Sequence, residues 1–494
     1  MPSAMEKVIL HQISSTMKRL TWLRLSPWLL PSSVGWLRLS SFAPQDSPSK
    51  LALSIRFVVG CALLSMACLA VQAQEPWTAD QCIQYAVRHN HDVRLQRFAL
   101  NDCQTEKERA AGAFLPAAEG NVGGQYNFGR AIDPETNTYT HVSTFYNSYS
   151  LNVGIPLFDG FQRFNNLRAA KADMLMGRSR LAAQKDAVAQ KVLETYMNAL
   201  YYKGCIEIAA QKRTESEMLL RQTRVMAEVG RKGEADVAQM QAIYAADDYE
   251  VTRQQGLFDK AMLALKQLMN FPTGDALEID TYRDVPPDIP DADAATIYAQ
   301  AKGSDPGIAQ AAYSLQSARY AFRASRGALF PSISLGAGIS TTYYQQLNVP
   351  HTNAFGTQFR NNAGQYVYLS LSIPIFNRLQ TIAHIRRQRN NVRRAEEELE
   401  YRHNELQRLI QETLTDLEQG CKETEKMRAK VASDSIAARL TVRRYEEGLA
   451  SSIDVQTQAV ALLQSKAQLW QCRLTQCYRT RLLNHYKGKS LWTE

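Results

Sequence analysis

The sequence predicts a mainly α-helical, internally duplicated chain with four β-strands, and three observations carry that prediction. One strand phrase occurs twice, from Ser148 to Phe158 and again from Tyr366 to Phe376, each copy ending in Ile-Pro-x-Phe. Each copy runs directly into a proline-free helical pattern of about seventy residues, 161–229 and 377–447. From the strand phrase onward equivalent residues keep a constant distance: Ile155 and Ile373, Gly230 and Gly448, and Asp236 and Asp454 are each 218 positions apart.

Residues 1–73 stand apart from this pattern as a preface and signal. Lys50 and Arg56 precede an apolar run that closes on Val71-Gln72-Ala73, as a cleaved secretory signal does. An N-terminal membrane anchor is the alternative, but the run is short for a span and small residues end it. Residues 1–49 are an odd start for a signal, so translation beginning downstream of Met1 stays open, as does lipidation of Cys68.

The first strand–helix repeat covers 74–272. Thr78 sits as an N-cap before one helix or two short ones reaching Ala113, with Ile83, Val87, Leu95, Phe98 and Leu100 at helical spacing. Phe114-Leu115-Pro116 ends that helical stretch, and Ala118, Gly120, Val122, Gly124, Tyr126 and Phe128 alternate with polar residues as a strand with one apolar face. A polar hairpin loop from Gly129 to Thr144 leads to the strand carrying Tyr149, Leu151, Val153 and Ile155 on one face. The first rod follows and breaks at Gly230-Arg231-Lys232-Gly233, and a returning helix runs from Glu234 to Met269.

A Pro-rich linker, 273–293, joins this to the second repeat, 294–494. There Asp305-Pro306 answers Asn90-His91, Leu329-Phe330-Pro331 answers Phe114-Leu115-Pro116, and Ile333, Leu335, Ala337 and Ile339 alternate as the third strand. A loop from Tyr343 to Gly364 precedes the fourth strand, whose Val367, Leu369, Leu371 and Ile373 share a face. In the second rod Ile385, Val392, Leu399 and Leu406 fall seven apart, a coiled-coil interval. Equal spacing makes two helical hairpins that end level.

Composition excludes more than it selects. The 494 residues, 45% hydrophobic and 21% charged, suffice for a core. Of the net charge of +9, residues 1–73 supply +5, and +4 over the rest is no nucleic-acid surface. Cys82, Cys103, Cys205, Cys421, Cys472 and Cys477 contain no C-x-x-C pair and read as isolated buried thiols. The eight histidines form no H-E-x-x-H, and Gly488-Lys489-Ser490 lacks the first glycine of a P-loop because Leu483 stands there. No enzyme site, cofactor or metal is expected.

Four strands cannot close a hollow barrel, so the chain is expected to oligomerise. Strand faces bearing Leu151 and Val153, or Leu369 and Leu371, need the lipid of a bilayer, and their sheet edges need partners. A trimer would supply twelve strands and a surrounding set of rods.

The duplicated strand–loop–strand–rod–hairpin order, the Phe-Leu-Pro and Ile-Pro-Leu-Phe-Asp-Gly phrases, and the stretch from Arg444 to Val455 resemble the TolC-type outer-membrane efflux family, the outer membrane factors, over nearly all of 75–490. The resemblance implies a homotrimer, closing as a 12-stranded membrane β-barrel and a periplasmic helical tunnel, in the outer membrane of a Gram-negative bacterium. It implies substrates passed from an inner-membrane pump through a periplasmic adaptor (membrane fusion) protein. The hairpin tips, with Gly230, Gly233, Asp236, Gly448 and Ser451, would dock that adaptor. The family's Asp-Val-x-Asp phrase at the periplasmic aperture appears here as Asp454-Val455-Gln456-Thr457, keeping the first aspartate and replacing the second by Thr457. Asp454 also closes a Ser-x-x-Asp capping box with Ser451, and the two roles are compatible. Two alternatives remain: a protein secretion channel of the same architecture, and a non-conducting periplasmic coiled-coil tether, which explains the rods but not four amphipathic strands.

Overall fold

The first two helices divide at a single side chain. Thr78 caps α1 (Ala79–His89) through a reciprocal pair: its hydroxyl accepts the Gln81 amide at 3.3 Å and the Gln81 carboxamide accepts the Thr78 amide at 2.8 Å. Asn90, extended in backbone, ends α1 and opens α2 (His91–Gly112): its Oδ1 accepts the amides of Asp92 and Val93, and its Nδ2 donates to the Leu268 carbonyl at 2.8 Å. A buried asparagine used at three points explains why one apolar stripe becomes two helices. The computed structural model describes residues 76–132, 137–141, 143–280, 293–347 and 354–492, all within the compact unit Gln74–Glu494. The signal segment, Cys68 and residues 281–292 of the linker lie outside the described residues.

After α2 come β1 (Ala117–Asn127), a short ribbon of β2 (Arg130–Ile132) with β3 (Tyr139–His141), and β4 (Thr144–Phe158). The rod α3 (Gln162–Glu228) and return helix α4 (Glu234–Met269) complete the first half. The second half repeats it: α5 (Ala294–Ser304), α6 (Pro306–Gly327), β5 (Ser332–Gln346), a short helix α7 (Phe355–Asn361), β6 (Gly364–Ser372), the rod α8 (Gln380–Glu446) and α9 (Ser452–Tyr486). Asp305 divides α5 from α6 as Asn90 divides α1 from α2, accepting the Ile308 amide at 2.7 Å, with Pro306 at the first helical position.

Both rods are 67 residues long, and their starting corners match in dihedral angle as well as in position. Gly160 and Phe161 have φ of 67° and 63°, and Arg378 and Leu379, 218 residues on, have 57° and 63°. Two successive left-handed residues turn the chain from strand to helix. At the first corner glycine is required for a second reason, since a Cβ on Gly160 would lie 2.2 Å from the Gly327 carbonyl oxygen.

The four long strands form one antiparallel sheet in the order β1-β4-β5-β6. Helices pack in the same order, α2 on α3, α3 on α6 and α6 on α8. Below the sheet, Ile83, Val93, Val192, Leu193, Leu265 and Met269 form one core among α1 to α4, and Ile297, Ile410, Leu417 and Leu483 form another among α5, α8 and α9.

Four expectations are corrected. The fourth strand stops at Ser372, because its partner β5 begins at Ser332, and Ile373 to Asn377 continue as a corner. The second loop is shorter than the polarity of Tyr343 to Gly364 suggests: β5 continues to Gln346, and α7 occupies part of the remainder. The opening loop, by contrast with an unstructured polar stretch, contains the β2–β3 ribbon, while its end at Thr144, where β4 begins, is as expected. Of the six cysteines, Cys82 and Cys205 are buried but Cys103, Cys421, Cys472 and Cys477 are half-buried, and they form no disulfide. Burial pushes the Cys82 thiol up to about 12, which keeps it protonated and inert.

Candidate functional site

Sheet register decides which side chains share a face. Leu151 stands opposite Gly120 on β1 and Ile339 on β5, Val153 opposite Ala118 and Ala337, and on the other side Leu335 stands opposite Leu369 and Ile333 opposite Leu371. Directly opposed residues of an antiparallel pair point to one side, so Leu151, Val153, Leu369 and Leu371 lie on a single apolar face. In one chain these four are 39–67% exposed. The opposite face carries Ser150, Asn152, Ser340, Thr342 and Ser370. On that face the Tyr366 hydroxyl donates to Asn152 Oδ1 at 2.6 Å across two intervening ladders. The rings of Tyr366 and Tyr368 lie against Gly338 and Gly336, where an added Cβ would come within 2.7 and 2.4 Å of a ring carbon. The spacing Gly-x-Gly in β5 opposite Tyr-x-Tyr in β6 was a signal for this pairing.

The hairpin tips are built alike from their glycines outward. At Gly230, with φ of 77°, the amides of Gly230 and Arg231 reach back to the Ala227 and Met226 carbonyls; at Gly448, with φ of 79°, those of Gly448 and Leu449 reach Tyr445 and Arg444. This is the helix-ending geometry that left-handed glycine permits. The return helices then start on aspartates. The Gly233 amide donates to the Asp236 carboxylate at 3.2 Å. The Ser451 amide and hydroxyl donate to Asp454 Oδ2 at 2.9 and 2.8 Å, and the Ser451 hydroxyl also sits 3.2 Å from the Asp454 amide. The capping role of Asp454 is therefore present. Those donors, the Ser451 amide first, hold the Asp454 carboxyl below the usual carboxylate range, so it stays ionised at neutral pH. The Thr457 hydroxyl donates to the Ile453 carbonyl one turn back in its own helix.

A small core ties the two tips together. Leu220 and Met240 of the first hairpin pack with Tyr445 and Val455 of the second, all buried. The Tyr445 hydroxyl lies 3.1 Å from that of Thr223, and Lys232 Nζ stands 4.1 Å from the Tyr445 ring centroid. Gln222 Nε2 donates to Glu446 at 3.2 Å and the Ser452 hydroxyl donates to Gln239 at 2.7 Å. Sequence reasoning missed Tyr445 and Thr223, because nothing local marks a tyrosine three residues before a turn as buried. Beyond this core the tips present Val229, Leu449 and Ile453 to solvent. Among the described residues no group of His, Cys, Asp or Glu is gathered as a metal centre needs, and no helix is long and apolar enough to cross a membrane.

A sequence profile of the family described as outer membrane efflux protein matches residues 82–270 and 297–481. The outer membrane efflux protein BepC of Brucella suis is 23% identical over 398 residues, covering 81% of this chain and 82% of BepC. The cation efflux system protein CusC of Escherichia coli is 22% identical over 301 residues, 60% of each. The crystal structure of the outer membrane protein VceC from Vibrio cholerae has the same fold, with a TM-score of 0.70 at 14% identity, covering 84% of this chain and 96% of that one.

The tip core makes a prediction about local opening. Tyr445→Phe removes one buried hydrogen bond and should weaken the tip by roughly 0.5–1.5 kcal/mol, while Tyr445→Ala also leaves a cavity and should cost about 3–5 kcal/mol. Amide hydrogen exchange over the two turns checks it: protection should fall in that order, and unchanged exchange in Tyr445→Ala would show that the tips do not depend on this contact.

Proposed function

The chain belongs to the outer membrane efflux protein family, and from that premise we propose that three copies close into a barrel and tunnel forming the outer-membrane channel of a tripartite export system. Its place is the outer membrane of a Gram-negative bacterium. One observation carries the proposal of closure. The order β1-β4-β5-β6 leaves β1 and β6 as outer strands, and the helix order α2, α3, α6, α8 leaves α2 and α8 outermost beneath them. Each copy thus ends in an open strand edge above an outer helix on both sides, and joining β6 of one copy to β1 of the next satisfies both at once. Three copies give twelve strands, enough for a lumen, with the polar face of Asn152 and Ser370 inside and the apolar face outside.

The lipid face is tested by charge placement. Leu151→Asp and Leu369→Asp set an acid into hydrocarbon in three copies, whereas Asn152→Asp and Ser370→Asp set it in the lumen. Basic residues at the midplane of a barrel cost about 2–4 kcal/mol each and acids less. The first pair should reduce the folded trimer in outer-membrane fractions and the second should not; equal amounts of all four would sink the face assignment.

The tips would meet the periplasmic adaptor that links this channel to an inner-membrane pump. Exposed Val229, Leu449 and Ile453 beside the turn glycines support this, since exposed apolar residues at the end of a rod suit a partner. A photo-crosslinker at Leu449 should capture the adaptor in cells carrying the whole system. Capture of nothing but lipid or the chain itself would leave the tips as turns.

Asp454 from three copies would ring the periplasmic aperture, with Thr457 one turn further on. Like charges brought within the ~8 Å Debye length of physiological salt repel only partly screened, so the ring should concentrate cations at the mouth. Asp454→Asn keeps an oxygen to accept the Ser451 amide but loses the charge. In planar bilayers it should lower cation selectivity and weaken block by multivalent cations, and Thr457→Asp should deepen that block. Wild-type trimers that carry no current would favour the tether; unchanged selectivity in Asp454→Asn would reduce the aspartate to a helix cap.

A further inference from the structure

Helix α6 lies between two rods, packing on α3 and on α8, whereas its counterpart in the first half, α2, packs on α3 and on no second rod among the described residues. Equivalent positions are 215 apart between α2 and α6, as His91 and Pro306 are, and 218 apart between the rods, as Gln162 and Gln380 are. Where α6 meets α3, an added Cβ on Gly327 would lie 2.5 Å from Gln162 Cγ; on Gly112, the equivalent glycine of α2, it would meet nothing within 4 Å.

Burial divides the same way. Tyr313, Ser317 and Ala324 of α6 are buried or half-buried, and at the matching positions of α2 Phe98, Asp102 and Arg109 are exposed. Ala169, Ala172 and Met176 of α3 are covered, while Arg387, Asn390 and Arg394 at the matching positions of α8 are exposed. Each uncovered set recurs every three or four residues, one side of a helix. The two sets also differ from the covered ones in charge. Between the halves Ser317 and three neutral side chains of α3 face each other; the uncovered sides carry an acid on α2 and two arginines on α8.

We infer that this side of α2 seats on this side of α8 from a second copy of the chain, with Asp102 of one copy between Arg387 and Arg394 of the next. The register follows from the contact that the chain already contains. Gly112 and Gln380 take the places of Gly327 and Gln162, and Asp102 and Asn390 then lie level, since 112 − 102 and 390 − 380 are equal. Arg387 and Arg394 stand about one helical turn to either side of that level. Phe98, 59% exposed, falls level with Arg394, whose guanidinium suits an aromatic face. The occupant is a second copy because α6 on α3 is the same pair of surfaces already joined, and because the seam continues the open edges of β6 and β1 above it. Charge also selects the pairing, since two α8 sides brought together would repel. The inference rests on the three-copy closure proposed above and adds the side chains that hold it below the sheet.

The full chain is purified in a non-denaturing detergent and its association followed by light scattering over a dilution series. Asp102→Arg should raise the concentration at which half the chain is assembled about tenfold, and adding Arg387→Glu and Arg394→Glu to that variant should return it to within about twofold of the parent. Gly112→Cys combined with Gln380→Cys tests the register without moving a charge, and serves if Asp102→Arg does not fold. The approach of Gly327 to Gln162 is close enough for a disulfide at the equivalent pair, so mild oxidation should link chains into covalent trimers that neither single variant gives. An assembled parent whose Asp102→Arg variant is unaffected or not rescued, or whose cysteine pair does not link, overturns the seam and leaves the barrel closure standing. A parent that stays monomeric at every concentration removes the closure and the seam together.

Discussion

Two rows of backbone amides and carbonyls, along the outer sides of β1 and β6, have no strand to bond among the described residues, and much of the architecture can be understood as an answer to them. In water such edges invite aggregation; in a bilayer each unsatisfied group costs several kcal/mol. The chain meets the same demand locally in two other places. Gln358 and Asn362 supply side-chain bonds where β5 outruns β6, and the β2–β3 ribbon pairs strand segments within the first loop. What remains open is one edge at each end of the sheet. On the proposed assembly those are the surfaces by which copies join.

Duplication explains why the ends are compatible. The separation between equivalent residues is 215 positions at His91 and Pro306 and 218 at Gln162 and Gln380, so the second half gains three residues between helix and rod. The gain falls in the stretch that includes the second hairpin loop, which contains α7. Everywhere else the halves match closely enough to share successive left-handed corners at 160–161 and 378–379 and left-handed glycines at 230 and 448. Arg378 adopts the left-handed conformation that Gly160 adopts, while at Gly160 the backbone of Gly327 also leaves no room for a Cβ.

The halves differ where they meet. Tyr445 of the second hairpin inserts among Leu220 and Met240 of the first, and Thr223, Gln222 and Gln239 supply polar contacts around it. Two hairpins of equal length could slide past each other; a buried aromatic with a paired hydroxyl sets their register at the tip. Farther up the first hairpin a nearly buried ion pair, Lys212 to Asp247 at 2.7 Å, links its two helices. Removing one partner of such a pair leaves a buried charge, so its effect is specificity of alignment more than net stability.

The linear order of residues was enough for the rods, the strands, the duplicated plan and the face on which Leu151, Val153, Leu369 and Leu371 lie, because these follow from local rules. Proline-free heptad spacing makes a long helix, period-two alternation sorts a strand's faces, and a glycine after a helix stops it. The rod ends were legible to within three residues for the same reason. It was not enough for α7, the β2–β3 ribbon or the place where β6 stops, since polar loops carry no period and a strand's length is set by its neighbour's. Nor could it find Tyr445, Thr223 and the phenylalanines of α7, or decide whether one helix or two runs from Thr78 to Ala113. Those depend on contacts between residues up to hundreds of positions apart, such as Thr223 and Tyr445, and distance along the chain carries no trace of them until the hairpins and the sheet have packed.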